Sequence, residues 1–277
     1  MSAVIFVCPF AQFGNPGTQR GAEALGDAVR EMLDDARAES RTTRLGRFAD
    51  LVRVEELPLE TPADYSQWRE RSREVAREAL DRGEFLLWIG GNHLSVMPVY
   101  EELAEQPGAA IVQFDAHLDV YHYNDVYSSL THGNFIRHLE RRPKLVNIGH
   151  RDLFLPPGEI RTYFDVAVAA TSDASTRRVE NAVARSRPIC LDVDWDVLDP
   201  AFFPAVDDPM PAGLSPRELI AWFQRLWSDR IEVVCFSEFN SGRDDRSRSL
   251  ELAVWMVEQA LLWRFEAKPA RRKHGRS

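Results

Sequence analysis

The chain of 277 residues carries a formal net charge of −9, with 44% hydrophobic and 28% charged residues, a composition that excludes disordered and membrane-embedded classes. Its acidic balance opposes binding along a phosphate backbone but tolerates a cationic ligand, so no nucleic-acid partner is expected. No apolar run approaches the roughly 18 residues of a transmembrane helix, so no membrane partner is expected either.

In chain order, short β-branched or aromatic runs alternate with amphipathic stretches of helical length. The candidate strands are Val4–Val7, Leu51–Val54, Phe85–Ile89, Ala110–Phe114, Lys144–Ile148, Val166–Ala169, Pro188–Val193 and Glu232–Ser237. The candidate helices are Gly21–Asp35, Tyr65–Arg82, His93–Glu105, Thr176–Ser186, Pro216–Trp227 and Ser249–Phe265. The strand runs are apolar on both sides of the pleat, as strands covered on both faces must be. The expected fold class is therefore α/β, a three-layer αβα arrangement around a central, mostly parallel eight-stranded sheet. One domain is expected over residues 1–267, followed by a basic, disordered tail over 268–277. Met1–Val7 reads as a first strand rather than a leader, and a cytoplasmic location is the default expectation. Cys8, Cys190 and Cys235 are widely spaced in apolar runs and read as buried, reduced thiols without chemistry.

Three segments concentrate polar chemistry at strand ends. Asp115, His117 and Asp119 follow an apolar strand at every second position, so in extended backbone their side chains share a face. Asp192, Asp194, Asp196 and Asp199 follow another, where buried carboxylates repel unless cations or hydrogen bonds compensate them. Asp199-Pro200 reads as a turn start and Asp196 as a residue that orients its neighbours. A Gly90-Gly91 turn brings Asn92 and His93 to the end of a third strand. Imidazole and carboxylate donors without thiolate favour hard or borderline divalent ions, with Mn²⁺ a better fit than a cysteine-rich zinc site.

Gly90-Gly91-Asn92-His93 resembles the Gly-Gly-Asp-His segment of the ureohydrolases, the arginase and agmatinase family. Asp115-Ala116-His117-Leu118-Asp119 resembles that family's Asp-Ala-His-x-Asp segment, and Asp192-Val193-Asp194 with Asp199-Pro200 its Asp-x-Asp-x-x-x-x-Asp-Pro segment. The likeness extends to Gly213-Leu214-Ser215, to Ser237-Glu238-Phe239-Asn240 and to the Gly14–Gly21 loop, so it spans nearly the whole chain. It implies an arginase-like fold and two Mn²⁺, other divalent ions being admissible. His93, Asp115, Asp119 and Asp192 are then implied to hold one ion, and Asp115, His117, Asp192 and Asp194 the other. The implied reaction is attack of metal-activated water on a guanidinium or amidine carbon, with Asp119 passing a proton to the leaving amine and urea as the second product. His132 matches the family's proton shuttle at the site mouth, and Glu238 the carboxylate that pairs with the guanidinium. Relatives commonly form trimers or hexamers, so a homo-oligomer is implied as well.

Two positions depart from the family pattern. Asn92 stands where Asp is usual, removing a charge near His93. The stretch Val120–Tyr127 lacks the Asn and Ser residues with which arginases grip a free amino acid, so free arginine is not the expected substrate. An agmatine-like compound, another small guanidino compound or an arginine-containing peptide is expected instead. Two other readings stand beside this one. A deacetylase-like metal amide hydrolase of the same fold predicts adjacent histidines, which the chain lacks, and a non-catalytic metal-binding relative would not need His132 and Glu238 beside the ligands.

Overall fold

The computed structural model describes residues 2–59, 61–121, 129–169 and 172–266. The tail at 268–277 and part of the tyrosine-bearing stretch, residues 122–127, lie outside the described residues. Eight strands form one sheet: β1 (Ala3–Cys8), β2 (Val52–Glu56), β3 (Phe85–Gly90), β4 (Ala110–Phe114), β5 (Lys144–Ile148), β6 (Val166–Val168), β7 (Ile189–Asp194) and β8 (Ile231–Ser237). Their order across the sheet is β2-β1-β3-β8-β7-β4-β5-β6, and every pair is parallel. The sheet is thus wholly parallel, where the sequence indicated a mostly parallel one.

The helices are α1 (Thr18–Ala38), α2 (Tyr65–Asp81), α3 (Met97–Ala104), α4 (Pro157–Tyr163), α5 (Asp173–Val183), α6 (Pro216–Leu226) and α7 (Arg248–Glu266). Alternate side chains along the strands enter two separate cores. Ile5, Leu87, Val112, Leu191 and Phe236 pack with Val29 of α1, Val179 of α5, Leu219 of α6 and Ala253 of α7. Phe6, Trp88, Ile111, Cys190 and Cys235 pack with Val75 of α2 and Val99 of α3 on the opposite face. Burial on both faces explains why the central strands read as unbroken apolar runs.

Two differences from the sequence reading have local causes. The predicted helix at His93–Glu105 splits into a 3₁₀ turn over His93–Val96 and α3; Pro98, which has no N–H to donate, sits in the first turn of α3, where that loss costs least. α4, at seven residues, is too short to show an amphipathic period and was not anticipated.

The β3 end is held against the loop after β1. Gly91 N–H donates to Cys8 O at 2.9 Å, and a Cβ on Gly91 would lie 2.0 Å from Phe10 O. Gly91→Ala therefore forces two backbones apart. It is expected to cost about 1–3 kcal/mol, the usual range for overpacking, read as a lower urea midpoint; an unchanged midpoint would show that the two segments are not in register contact.

Candidate metal centre

Four adjacent central strands deliver the site from their carboxyl ends, the edge at which open α/β sheets receive ligands. β3 leads through Gly91 and Asn92 into His93, β4 is followed by Asp115, β7 ends on Asp194, and β8 is followed by Glu238. Register pairs Phe114 with Val193 and Asp194 with Ser237, so Asp115, Asp194 and Glu238 stand within a residue of one level.

Nδ1 of His93 is the focus of the cluster. It lies 2.8 Å from Asp119 Oδ2, 3.3 Å from Asp115 Oδ2 and 3.4 Å from Asp194 Oδ2. The atom is buried and makes no well-directed hydrogen bond. His93, Asp115 and Asp194 form one group of donor atoms within 4.8 Å of one another, and Asp115, His117 and Asp196 form a second, sharing Asp115. A buried imidazole nitrogen aimed among carboxylate oxygens, with only nitrogen and oxygen donors present, fits a divalent cation of the hard or borderline class.

The charges confirm how uneasy the cluster is with protons alone. Burial, then the neighbouring Asp119 and Asp196, push the Asp115 carboxyl up to about 8. Burial, then the neighbouring Asp196 and Asp115, also raise Asp194 well above the usual carboxylate range. Burial opposes a charged His117, but Asp196, 2.6 Å from its Nδ1, outweighs it and raises the imidazole to about 10. Asp196 itself is held low against its burial by that same ion pair.

Of the six ligands expected from the sequence, the structure brings His93, Asp115, His117, Asp119 and Asp194 together. Asp192, also expected as a ligand, does not join them. It sits inside β7 opposite Gln113, two residues and therefore about 7 Å short of Asp194 along the strand. Its Oδ2 accepts from the Tyr100 hydroxyl at 2.6 Å and lies 2.9 Å from His93 Nε2, on the far side of the imidazole from the cluster. Asp196 stands in the second donor group instead. Carried on the turn Trp195–Val197, it approaches His117, and its backbone N–H is fixed by Asp194 Oδ1 at 2.9 Å.

Asn92 also differs from expectation. Its amide donates to Gln12 O and Gly14 O, both at 2.8 Å, so it ties down the loop after β1 rather than leaving a gap beside His93. A carboxylate there would face two carbonyl oxygens.

A cavity of about 350 Å³ opens over the cluster, lined among others by His93, Asp119, Asp194, Asp196, His132 and Glu238. Asp119 reaches it from a left-handed backbone conformation, φ 49°. Glu238, also left-handed at φ 68°, is pinned by both oxygens: Oε1 accepts from His93 N–H at 2.7 Å and Oε2 from Asn15 at 3.0 Å. Burial raises its carboxyl to about 7. His132 stands at the mouth, 3.3 Å from Phe13 O and 4.0 Å from Asp208 Oδ2. Gly14 must be glycine there, since a Cβ would lie 1.8 Å from the His132 ring. Asn15, Tyr100 and Asp196 are the contributors that sequence reasoning missed or undervalued; only Asp196 left a signal, as a carboxylate just beyond a strand end.

A family model described as the Arginase family matches residues 1–263. Among curated proteins, formimidoylglutamase of Halobacterium salinarum is 31% identical over 264 residues, spanning 88% of this chain and 82% of that protein. N(1)-aminopropylagmatine ureohydrolase of Thermus thermophilus is 28% identical over 227 residues, spanning 79% and 74%. The crystal structure of arginase from Bacillus subtilis superposes with a TM-score of 0.78 at 20% identity, covering 98% of this chain and 100% of that one.

Asp196 and Asp192 give opposite expectations. Asp196→Ala should lose one bound ion per chain, whereas Asp192→Asn should keep both and bind them about 10- to 100-fold more weakly, as for a partner of a ligating histidine; metal analysis after dialysis distinguishes them, and the reverse result would restore Asp192 as a ligand. Because Asp115 and His117 retain protons at neutral pH, rising to about 8 and about 10, a cation must displace them. Apparent affinity should thus climb between about pH 6 and pH 8 with proton release visible by calorimetry in buffers of different ionisation enthalpy, and a pH-independent affinity would contradict this protonation.

Proposed function

The chain belongs to the arginase family, and from that premise we propose that it is a binuclear-metal hydrolase cleaving a C–N bond of a guanidino or amidino group, releasing an amine together with urea from a guanidine or the corresponding amide from an amidine. The observation that carries the reading is the pair of donor groups sharing Asp115 at the base of one cavity. His93, Asp115, Asp119 and Asp194 would hold one ion, and Asp115, His117 and Asp196 the other. Manganese is the ion that this donor set favours, having oxygen and imidazole but no sulfur. When bound, the pair supplies an activated water at neutral pH and positive charge to offset the anion that forms on attack.

The chain's own residues do the rest. Glu238, fixed by His93 N–H and Asn15, presents a carboxylate on the cavity wall that can pair with a planar cationic head group. Asp119 lies beside His93 Nδ1 at 2.8 Å and faces the cavity, where it can take the proton of the attacking water and pass it to the leaving amine. His132, at the mouth between Phe13 O and Asp208, can exchange that proton with solvent. The relatives named as an aminopropylagmatine ureohydrolase and a formimidoylglutamase support attack at a guanidino or amidino carbon. A homo-oligomer in the cytoplasm completes the reading.

Urea release from guanidino compounds in the presence of Mn²⁺ is the direct assay. Acetate from acetylated amines, with no urea from any guanidine, would replace the reading with an amide hydrolase of the same fold. Glu238→Gln keeps the size and shape of the side chain but removes the charge and one acceptor oxygen; it should raise KM about tenfold to a hundredfold, the weight of a charged hydrogen bond, with both ions still bound. An unchanged KM would remove Glu238 from substrate binding.

A further inference from the structure

The reactive cavity lies over the donor cluster. It continues through His117, Tyr121, Asp207 and Asp208 into a groove of about 1080 Å³, roughly three times its own volume of about 350 Å³. The walls of the groove are Leu153, Phe154, Leu155 and Pro156 on one side and Pro209 and Met210 on the other. Leu153 and Phe154 are 90% and 86% exposed. The loop that carries them is fixed: Asp152 Oδ1 accepts from the N–H groups of Phe154 at 2.9 Å and Leu155 at 2.7 Å, and Pro156 caps α4. Large apolar side chains held outward on an ordered loop, next to a reactive cavity, are the features of a ligand subsite.

Charge narrows the ligand. Arg151 is the one Lys or Arg among the described residues lining the groove, and its guanidinium is committed to backbone carbonyls. One terminal nitrogen donates to Gly149 O at 3.0 Å and Val197 O at 3.1 Å, the other to Asp196 O at 2.6 Å and Met210 O at 3.1 Å. Asp207, paired with Arg243 at 2.6 Å, and Asp208, which accepts from Asn15 at 3.0 Å, stand at the seam between cavity and groove. A substrate ending in a carboxylate would meet the like charge of Asp208 at the seam and, among the described residues lining the groove, no uncommitted Lys or Arg beyond it. An apolar chain would lose water on both sides, and an amine along it would be tolerated by the aspartates.

Building on the hydrolase reading, we infer that the substrate is a guanidino or amidino compound on an extended apolar chain without a carboxylate, and that Leu153, Phe154 and Met210 are specificity-determining residues that bind that chain. The acidic seam makes a chain carrying a secondary or terminal amine compatible, and an amino acid incompatible. The groove's continuity with the cavity favours substrate over a second copy of the chain as the occupant.

The test is calorimetric binding of n-alkylguanidines from ethyl to octyl, and of arginine and 3-guanidinopropanoate, to the Mn²⁺-loaded full chain. Affinity should rise about three- to fourfold per added methylene once the chain passes the seam, the value of burying one CH₂, and both carboxylated compounds should bind more weakly than butylguanidine. Leu153→Asp and Phe154→Asp should flatten that slope while leaving metal content and ethylguanidine affinity unchanged. Equal or tighter binding of the carboxylated compounds would overturn the inference. So would a slope that both variants leave intact, including the case in which they change only the oligomeric mass. Affinity is read whether or not the bond is cleaved, so a slope without urea release would fault the hydrolase reading and leave the groove assignment standing.

Discussion

The constraint on which the molecule turns is the burial of carboxylates at the centre of its sheet. Asp115, Asp194 and Asp196 are almost wholly shielded from water, and Asp119 nearly so. Taking several like charges into a medium of low polarity costs several kcal/mol for each ion unless opposite charge and hydrogen bonds accompany them. His93 and His117 supply part of that compensation, and protons on Asp115 and Asp194 supply another part. Two divalent cations would supply it more completely, since they bring positive charge without occupying the geometry that the histidines need. The acidic cluster is thus costly as a piece of empty fold and well matched as a metal receptacle, which is why it is informative about function.

Holding such a cluster requires support that has no charge of its own. Gln113 donates to Asp115 Oδ2 at 3.0 Å, and Asn147 donates both to Gln113 at 3.2 Å and to His117 O at 3.1 Å, so one neutral chain of amides sets the Asp115 and His117 positions together. Trp195, between Asp194 and Asp196, stacks with Phe203 at 4.8 Å and Phe236 at 5.1 Å and so anchors the turn in the core. The backbone on either side of that ring cannot drift without unstacking it. Tyr100 and Asp192 fix the His93 ring from behind; a donor proton on Nε2 leaves Nδ1 to face the carboxylates. Placement of a ligand in space is here a property of several residues distant in sequence.

This division explains what could be read before the fold was known. Strands declare themselves through apolar runs, and the Ala110–Phe114 and Lys144–Ile148 boundaries agree with the structure. His93, Asp115, His117, Asp119 and Asp194 could be gathered because each lies at or just past such a run. The choice between Asp192 and Asp196 could not be settled by alternation, since both lie on the same side as Asp194 if the strand continues. What decides it is where β7 stops, and that depends on the turn built around Trp195 and on the register with β4 and β8. Asn15 and Tyr100 left no trace because an isolated Asn in a loop and a Tyr in a helix are ordinary; their roles exist only through partners more than ninety residues away. Asn92 looked like a lost charge for a related reason, since the carbonyls it serves belong to a loop nearly eighty residues earlier.

The same logic bears on how chemistry and selectivity share the fold. The groups that would hold ions come from the ends of central strands, whose flanking backbones are locked by neighbours on both sides. The groups that meet the rest of a ligand come from the loops after β5 and around Pro209, farther from the sheet's centre. Arg151 joins the two regions: it binds the carbonyl of Asp196 in the metal-facing turn and the carbonyl of Met210 in the groove wall. Because its charge is shared among carbonyls, it acts as a brace between site and groove rather than as an anion receptor. The distal wall is therefore free to be apolar without loosening the centre, and a change in what the groove accepts need not disturb what the sheet holds.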